Sequence, residues 1–169
     1  NLENTIKWFI EENYDQKVGL VLKTFTKAGS IIDRSYTNQW LENILSKPEY
    51  KGRDCKVYLL HGDLSPEEMN GLYTHDKIKA LISITHGEGF GLPMFEAASH
   101  GLPIISSGWS GQCDFLYMPV KKKKGKKTKT VMTPHFSEVD YKIAPIPKEA
   151  VWKTVVPEGS SWCYPEQGS

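Results

Sequence analysis

A chain of 169 residues suits one domain and is long enough to bury a core without staples. At 39% apolar and 24% charged residues it has an ordinary globular composition, and no apolar run approaches the roughly 18 residues of a membrane span. Three widely spaced cysteines (Cys55, Cys113, Cys163) fit neither a disulfide framework nor a zinc site, and read as reduced thiols of a cytoplasmic protein.

The net charge of +1 conceals an asymmetry. VKKKKGKKTKT carries seven lysines (Lys121 to Lys124, Lys126, Lys127 and Lys129), and the 14 remaining basic residues face 20 acidic ones. The body is therefore acidic. The lysine run has no interleaved aromatics for base stacking, and no second basic face accompanies it, so nucleic acid is not expected as a partner.

In chain order, Leu2, Ile6, Phe9 and Ile10 share one helical face over about residues 3–13, with i,i+4 charges on another. VGLVL (18–22) is a continuous apolar run, the pattern of a strand buried on both faces. Tyr36, Trp40, Leu41, Ile44 and Leu45 form a second helical stripe, which Pro48 stops. KVYLLHG gives a strand over 56–61. SPEE opens a helix with Ser65 as N-cap, Pro66 at N1 and Glu68 closing a capping box. KALISI gives a strand near 79–84. PMFEAASHG gives a helix with Pro93 near N1 and Gly101 at C′, and LPIIS gives another strand. Helix and strand alternate four times, which predicts an α/β fold with a Rossmann-like, doubly wound parallel sheet and ligands at the carboxyl ends of its strands.

Beyond residue 108 the pattern weakens. GWSGQ is a small-residue turn, VKKKKGKKTKTVM a hairpin or a loose loop, and 140–169 a stretch with four prolines and little periodicity. The expected organisation is a single partial domain over 1–169, with a Lys-rich insertion at 119–135. That insertion reads as solvated, with a membrane- or polyanion-binding loop as the alternative.

The candidate chemistry lies in HGEGFGLPMFEAASHGLPIIS (86–106). Glycines at 87, 89 and 91 remove side chains where a ligand approaches the backbone, and the following helix offers free N–H groups and its positive dipole end. Together these suit an anion, most naturally phosphate. Glu96, one turn into that helix, leans back toward the same ligand, and a carboxylate beside phosphate suits a pair of ribose hydroxyls. Glu88 lies in the loop itself. A Walker loop needs a Lys that is absent, and a dinucleotide fingerprint needs Gly where Leu92 stands.

The spacing of EGFGLPMFE, with seven residues between Glu88 and Glu96, closely resembles the E-x7-E signature of retaining GT-B glycosyltransferases of the large family four (glycosyl transferases group one). The likeness extends over residues 61–116 and to DYKIAPIP and WCYPE downstream. It implies the nucleotide-sugar-binding C-terminal lobe of a GT-B enzyme. Glu96 would hold the donor ribose, and Glu88 would contact the transferred sugar as the catalytic carboxylate. Amides from Gly89 through Phe90 and Gly91 to Leu92 would meet sugar and diphosphate, with Asp63 and Leu64 lining the nucleobase. Lys23, ending a strand, is either a solvated lysine or a phosphate ligand. His86 and His100 read as packing or surface residues, and Trp109 as core or the border of the sugar site.

The family's Arg–Lys diphosphate loop, N-terminal lobe and closing helix have no counterpart here. The chain is thus expected to be part of an enzyme, inactive alone, with its own N-terminal lobe as partner. The nucleotide-sugar is a substrate and no cofactor or metal is implied, since amides and basic side chains meet the phosphate charge. A same-fold epimerase or phosphorylase, or a non-catalytic nucleotide-sugar-binding module, are the alternative readings.

Overall fold

The computed structural model describes residues 1–125, 127–152 and 154–168. The chain divides into two compact units, Asn1–Met69 and Asn70–Ser169. It is a mixed α/β protein; among the described residues its strands are distributed over four small sheets, two parallel and two antiparallel, and are not gathered in one. Among the described residues no helix is long and apolar enough to cross a membrane.

In the first unit, α1 (Leu2–Glu12), β1 (Gly19–Thr24), α2 (Ile31–Leu45) and β2 (Lys56–His61) enclose one core. Ile6 and Ile10, one turn apart on α1, are fully buried against it with Leu20, Leu22, Leu41, Ile44, Tyr50 and Cys55. β1 and β2 run parallel, Leu20 opposite Val57 and Leu22 opposite Leu59. The apolar run that suggested burial on both faces is buried on one: Leu20 and Leu22 point inward while Val21 is exposed. Alternation returns because helices cover only one side of a two-stranded ribbon within this unit. The α2 stripe also differs from the apolar reading. Tyr36 is exposed, and the buried face runs through Asp33, Thr37, Leu41 and Ile44.

Asp33 is the reason. It sits in the first turn of α2, whose N-cap Ser30 accepts the Asp33 N–H at 3.1 Å. Its carboxylate accepts from the backbone of Thr26 (3.0 Å) and Lys27 (2.9 Å), and pairs with His61 Nε2 at 3.0 Å. One buried side chain thus ties the loop after β1, the start of α2 and the end of β2. Beneath it, Thr37 and Thr26 share a hydroxyl contact at 2.9 Å. At the other end of α2, Arg53 donates to the carbonyls of Leu45 (3.3 Å) and Tyr50 (2.8 Å), satisfying groups the helix leaves open.

α3 (Pro66–Tyr73) begins with the expected capping box. Ser65 N–H donates to Glu68 Oε2 at 2.7 Å, and Glu68 N–H donates to Ser65 Oγ at 3.2 Å.

In the second unit, β3 (Leu81–Ser83), β4 (Ile104–Ser107) and β7 (Ser137–Val139) form a parallel sheet with β4 central. β3 is shorter than the 79–84 run suggested. α4 (Leu92–Ser99) joins β3 to β4 and ends in a Schellman motif: Gly101 N–H donates to Ala98 O, Leu102 N–H to Ala97 O, and Gly101 has φ +76°. The short α5 (Cys113–Leu116) leads into β5 (Tyr117–Lys124), which pairs antiparallel with β6 (Lys127–Pro134), so the lysine run is a hairpin. Lys126 lies outside the described residues. The proline-bearing tail, which shows no periodicity, also pairs: β8 (Tyr141–Pro145) runs antiparallel to β9 (Ser161–Pro165). Pro145 and Pro165 each close a strand, where a missing N–H costs the ladder least. Cys55, Cys113 and Cys163 are free thiols.

Burial works to raise the Asp33 carboxyl, but hydrogen bonds from His61 and from the backbone of Thr26, Lys27 and Ala28 outweigh it and hold it below the usual 3.8. A carboxyl lowered by folding adds stability that is complete above the unfolded value and lost as pH falls through the folded one. Asp33→Asn keeps the shape but turns an amide group toward backbone donors. Denaturant titrations at several pH values should find the variant less stable near neutrality. The gap to the parent should narrow as pH drops below 3.8.

Candidate functional site

The loop from His86 to Gly91 joins the end of β3 to α4. Ser110 Oγ holds it by its backbone, accepting from Glu88 N–H at 3.1 Å and donating to Glu88 O at 2.6 Å, while Gly111 N–H donates to the same carbonyl at 3.2 Å. The turn after β4 therefore clamps the loop after β3, both at strand carboxyl ends. Ser110 takes φ +79°, a left-handed conformation uncommon for a residue with a Cβ. A Cβ on Gly111 would overlap the Gly89 carbonyl, so that position admits only glycine without displacing the loop.

His86 anchors the other end. Its backbone carbonyl accepts from Cys163 N–H at 3.1 Å, its Nδ1–H donates to Cys163 O at 2.7 Å, and its ring stacks on Trp162 at 4.6 Å and 8°. It is a packing residue, as expected. His100 caps α4, with Nδ1 bonded to Glu96 O at 2.8 Å. Trp109 is partly exposed and lies 6.4 Å from the Tyr141 ring.

The three loop glycines stand in three different surroundings. Gly91, the N-cap of α4, has φ +87°, and an added Cβ would meet Met94 Cε at 2.8 Å and Gln112 Cβ at 3.3 Å. At Gly87 a Cβ would rest in ordinary contact with Ser110 Oγ. Gly89 has neither a positive φ nor any atom within 4 Å of an added Cβ, so nothing inside the protein requires it.

Among the described residues, the N–H groups of Gly89, Phe90, Gly91 and Leu92 have no acceptor, and Pro93 has no N–H. The result is a run of four free amides leading into a helix N-terminus, a local excess of positive partial charge. Phe90 turns its ring away into a trio with Phe95 (5.4 Å) and Phe115 (5.1 Å), which steadies the backbone carrying those amides. Glu88 is half-buried, and among the described residues its carboxylate has no hydrogen-bond or ion-pair partner. Burying such a group is costly unless a ligand satisfies it.

Glu96 is exposed on α4, where its Oε2 accepts from Tyr73 Oη at 3.2 Å. Burial, and then the Glu96 charge and hydrogen bond, push the Tyr73 hydroxyl up to about 12, so it remains a donor at neutral pH. Tyr73 orients the carboxylate and leaves its other oxygen available. At the end of β4, Tyr117 donates to Glu138 Oε1 at 2.8 Å and Tyr141 donates to Gly108 O at 3.1 Å. Burial first, then Glu138, hold the Tyr117 hydroxyl protonated.

The remaining sequence-derived site residues belong to the first unit. Asp63 is exposed and faces Gly29, whose added Cβ would stand 3.5 Å from its Oδ2; Leu64 is half-buried. These two line the loop after β2, at a strand carboxyl end. Lys23 is exposed within β1, one residue before the strand ends, with Nζ 5.9 Å from the centre of the Phe25 ring. Among the described residues no group of three His, Cys, Asp or Glu side chains is placed to hold a metal ion.

No family model matches the chain, and comparison with curated proteins and with solved structures found no similar protein.

The glycines give a sharp contrast in stability. Gly91→Ala puts a side chain on a left-handed backbone already crowded by Met94, at a cost of about 2 kcal/mol. Gly89→Ala enters open space and should stay within about 0.5 kcal/mol of the parent. Urea denaturation of the two variants measures both.

Proposed function

We propose that this chain binds a nucleotide-sugar and forms the donor-binding lobe, Rossmann-like and doubly wound, of a retaining glycosyltransferase that moves a hexosyl group to an acceptor. The run of free amides from Gly89 to Leu92, beside a half-buried Glu88 without a partner, is the observation that carries this reading. Phosphate oxygens satisfy such amides, and sugar hydroxyls satisfy such a carboxylate. The E-x7-E spacing of Glu88 and Glu96 adds the second carboxylate, which suits ribose hydroxyls as donors.

In this mechanism the amides stabilise the diphosphate as it departs, when its negative charge grows. They are fixed beforehand by the Ser110 clamp, so little reorganisation accompanies bond cleavage. Glu88 positions the transferred sugar and stabilises positive charge developing at its anomeric carbon; it is not assigned as a nucleophile. Retention then requires the acceptor to arrive on the face the diphosphate leaves. No metal is needed in this scheme.

Donor binding tests the proposal, measured by calorimetry on the chain within its complete coding context. Glu96→Gln keeps the shape but loses charge assistance, which is worth about 1.5–3 kcal/mol against about 1 for a neutral bond. Affinity for the nucleoside diphosphate should fall roughly two- to thirty-fold. The parent should discriminate against the 2′-deoxy analogue, and the variant should discriminate less. An unchanged gap means that Glu96 does not read the ribose. Failure of every nucleoside diphosphate to bind removes the proposal itself, and binding without transfer to any acceptor favours a non-catalytic module.

A further inference from the structure

The β5–β6 hairpin arranges its lysines in a way that folding alone does not favour. Residues directly opposite on paired strands share a face, and alternate residues along a strand share it too. Lys122 pairs with Lys129 and Lys124 with Lys127. These four lysines therefore occupy one face as two directly opposed like-charge pairs, an arrangement that is repulsive in itself. Lys121 and Lys123 lie on the other face, opposite Thr130 and Thr128. All six are exposed, and among the described residues none makes an ion pair.

The sequence supplies no local relief, since residues 115–137 contain no Asp or Glu. The hairpin is nonetheless well formed. Its ladder runs unbroken from Tyr117–Pro134 to Lys124–Lys127, and Gly125 has φ +63°, the sign that tight hairpin turns require at their first position. Elsewhere in the same unit nine carboxylates outnumber five lysines, so the unit's net positive charge comes from the hairpin.

We propose that the Lys122–Lys124–Lys127–Lys129 face is a docking surface for an anionic lipid bilayer. The missing counter-charges are then lipid phosphates. Three features favour a bilayer over a nucleic acid or an acidic protein. The hairpin's cations are all lysine, point charges on flexible stems, with no arginine fork to read a fixed phosphate. No aromatic side chain interrupts the lysines to stack on a base. Lipid head groups also diffuse laterally, so they can gather under four closely spaced charges without a matching rigid pattern. Exposed Met118, on the same face by register, adds an apolar contact at the hairpin's base.

The test is co-sedimentation of the purified chain with phosphatidylcholine vesicles with and without phosphatidylglycerol, at low and high salt. Binding is expected only to the anionic vesicles and only at low salt. Each lysine near such a surface contributes roughly fivefold, so K122Q/K124Q/K127Q/K129Q should weaken partitioning by several hundred-fold. The matching four-arginine variant keeps the charge and should bind as the parent does, which separates loss of charge from loss of fold. The proposal is overturned if the quadruple glutamine variant binds like the parent, or if no anionic vesicle is bound. Tighter binding to duplex or single-stranded oligonucleotide at the same salt overturns it as well, as does self-association without vesicle binding.

Discussion

The candidate site depends on one hydroxyl group. Ser110 Oγ accepts from and donates to the backbone of a single residue, Glu88, and the neighbouring Gly111 N–H reinforces the contact. A glycine-rich loop has more conformational freedom to lose than any other, and free amides aimed nowhere bind nothing. The clamp converts flexible backbone into a fixed row of donors. It also fixes where Glu88 enters the loop, and so the approach of its carboxylate. Glu88 and the free amides lie between β3 and the start of α4, held by that contact to the turn after the adjacent parallel strand β4.

A similar economy appears in the first unit, where Asp33 gathers the loop after β1 and the end of β2. In both units a short polar side chain organises the strand ends while apolar packing lies below. The difference is exposure. Asp33 is buried with its oxygens occupied, so its work is structural. Glu88 is half-buried with its oxygens free, and free capacity of that kind is what a ligand uses.

Much of this was legible in the sequence, for local reasons. Capping chemistry declares itself within a few residues: Ser65 and Glu68 form their reciprocal pair, and Gly101 takes the left-handed position that ends α4. The glycines before Pro93 pointed to exposed backbone there, and among the described residues the amides from Gly89 to Leu92 have no acceptor. Other features were illegible because apolar periodicity cannot see them. The buried face of α2 opens with Asp33 and Thr37, polar residues whose partners lie in other elements, so an exposed Tyr36 looked like core instead. The pairing of β8 with β9 is hidden by prolines that only the ladder shows to be terminal. Tyr73 and Ser110 act on Glu96 and Glu88 across 23 and 22 residues of chain, and nothing local to either announces the partner. The loop glycines were read alike, yet of the three only Gly91 has an internal reason to be glycine.

The charge sorting has a consequence for how the molecule behaves in bulk. A formal net charge of +1 describes a nearly neutral particle, indifferent to a weak field. The second unit is nothing of the kind: its lysines are concentrated on one two-stranded arm and its carboxylates lie elsewhere in the sequence. Such a body carries a charge asymmetry as well as a net charge. A field exerts a torque on it as well as a force, and a negative surface attracts the lysine-bearing arm. That attraction acts before any contact has formed, and salt weakens it.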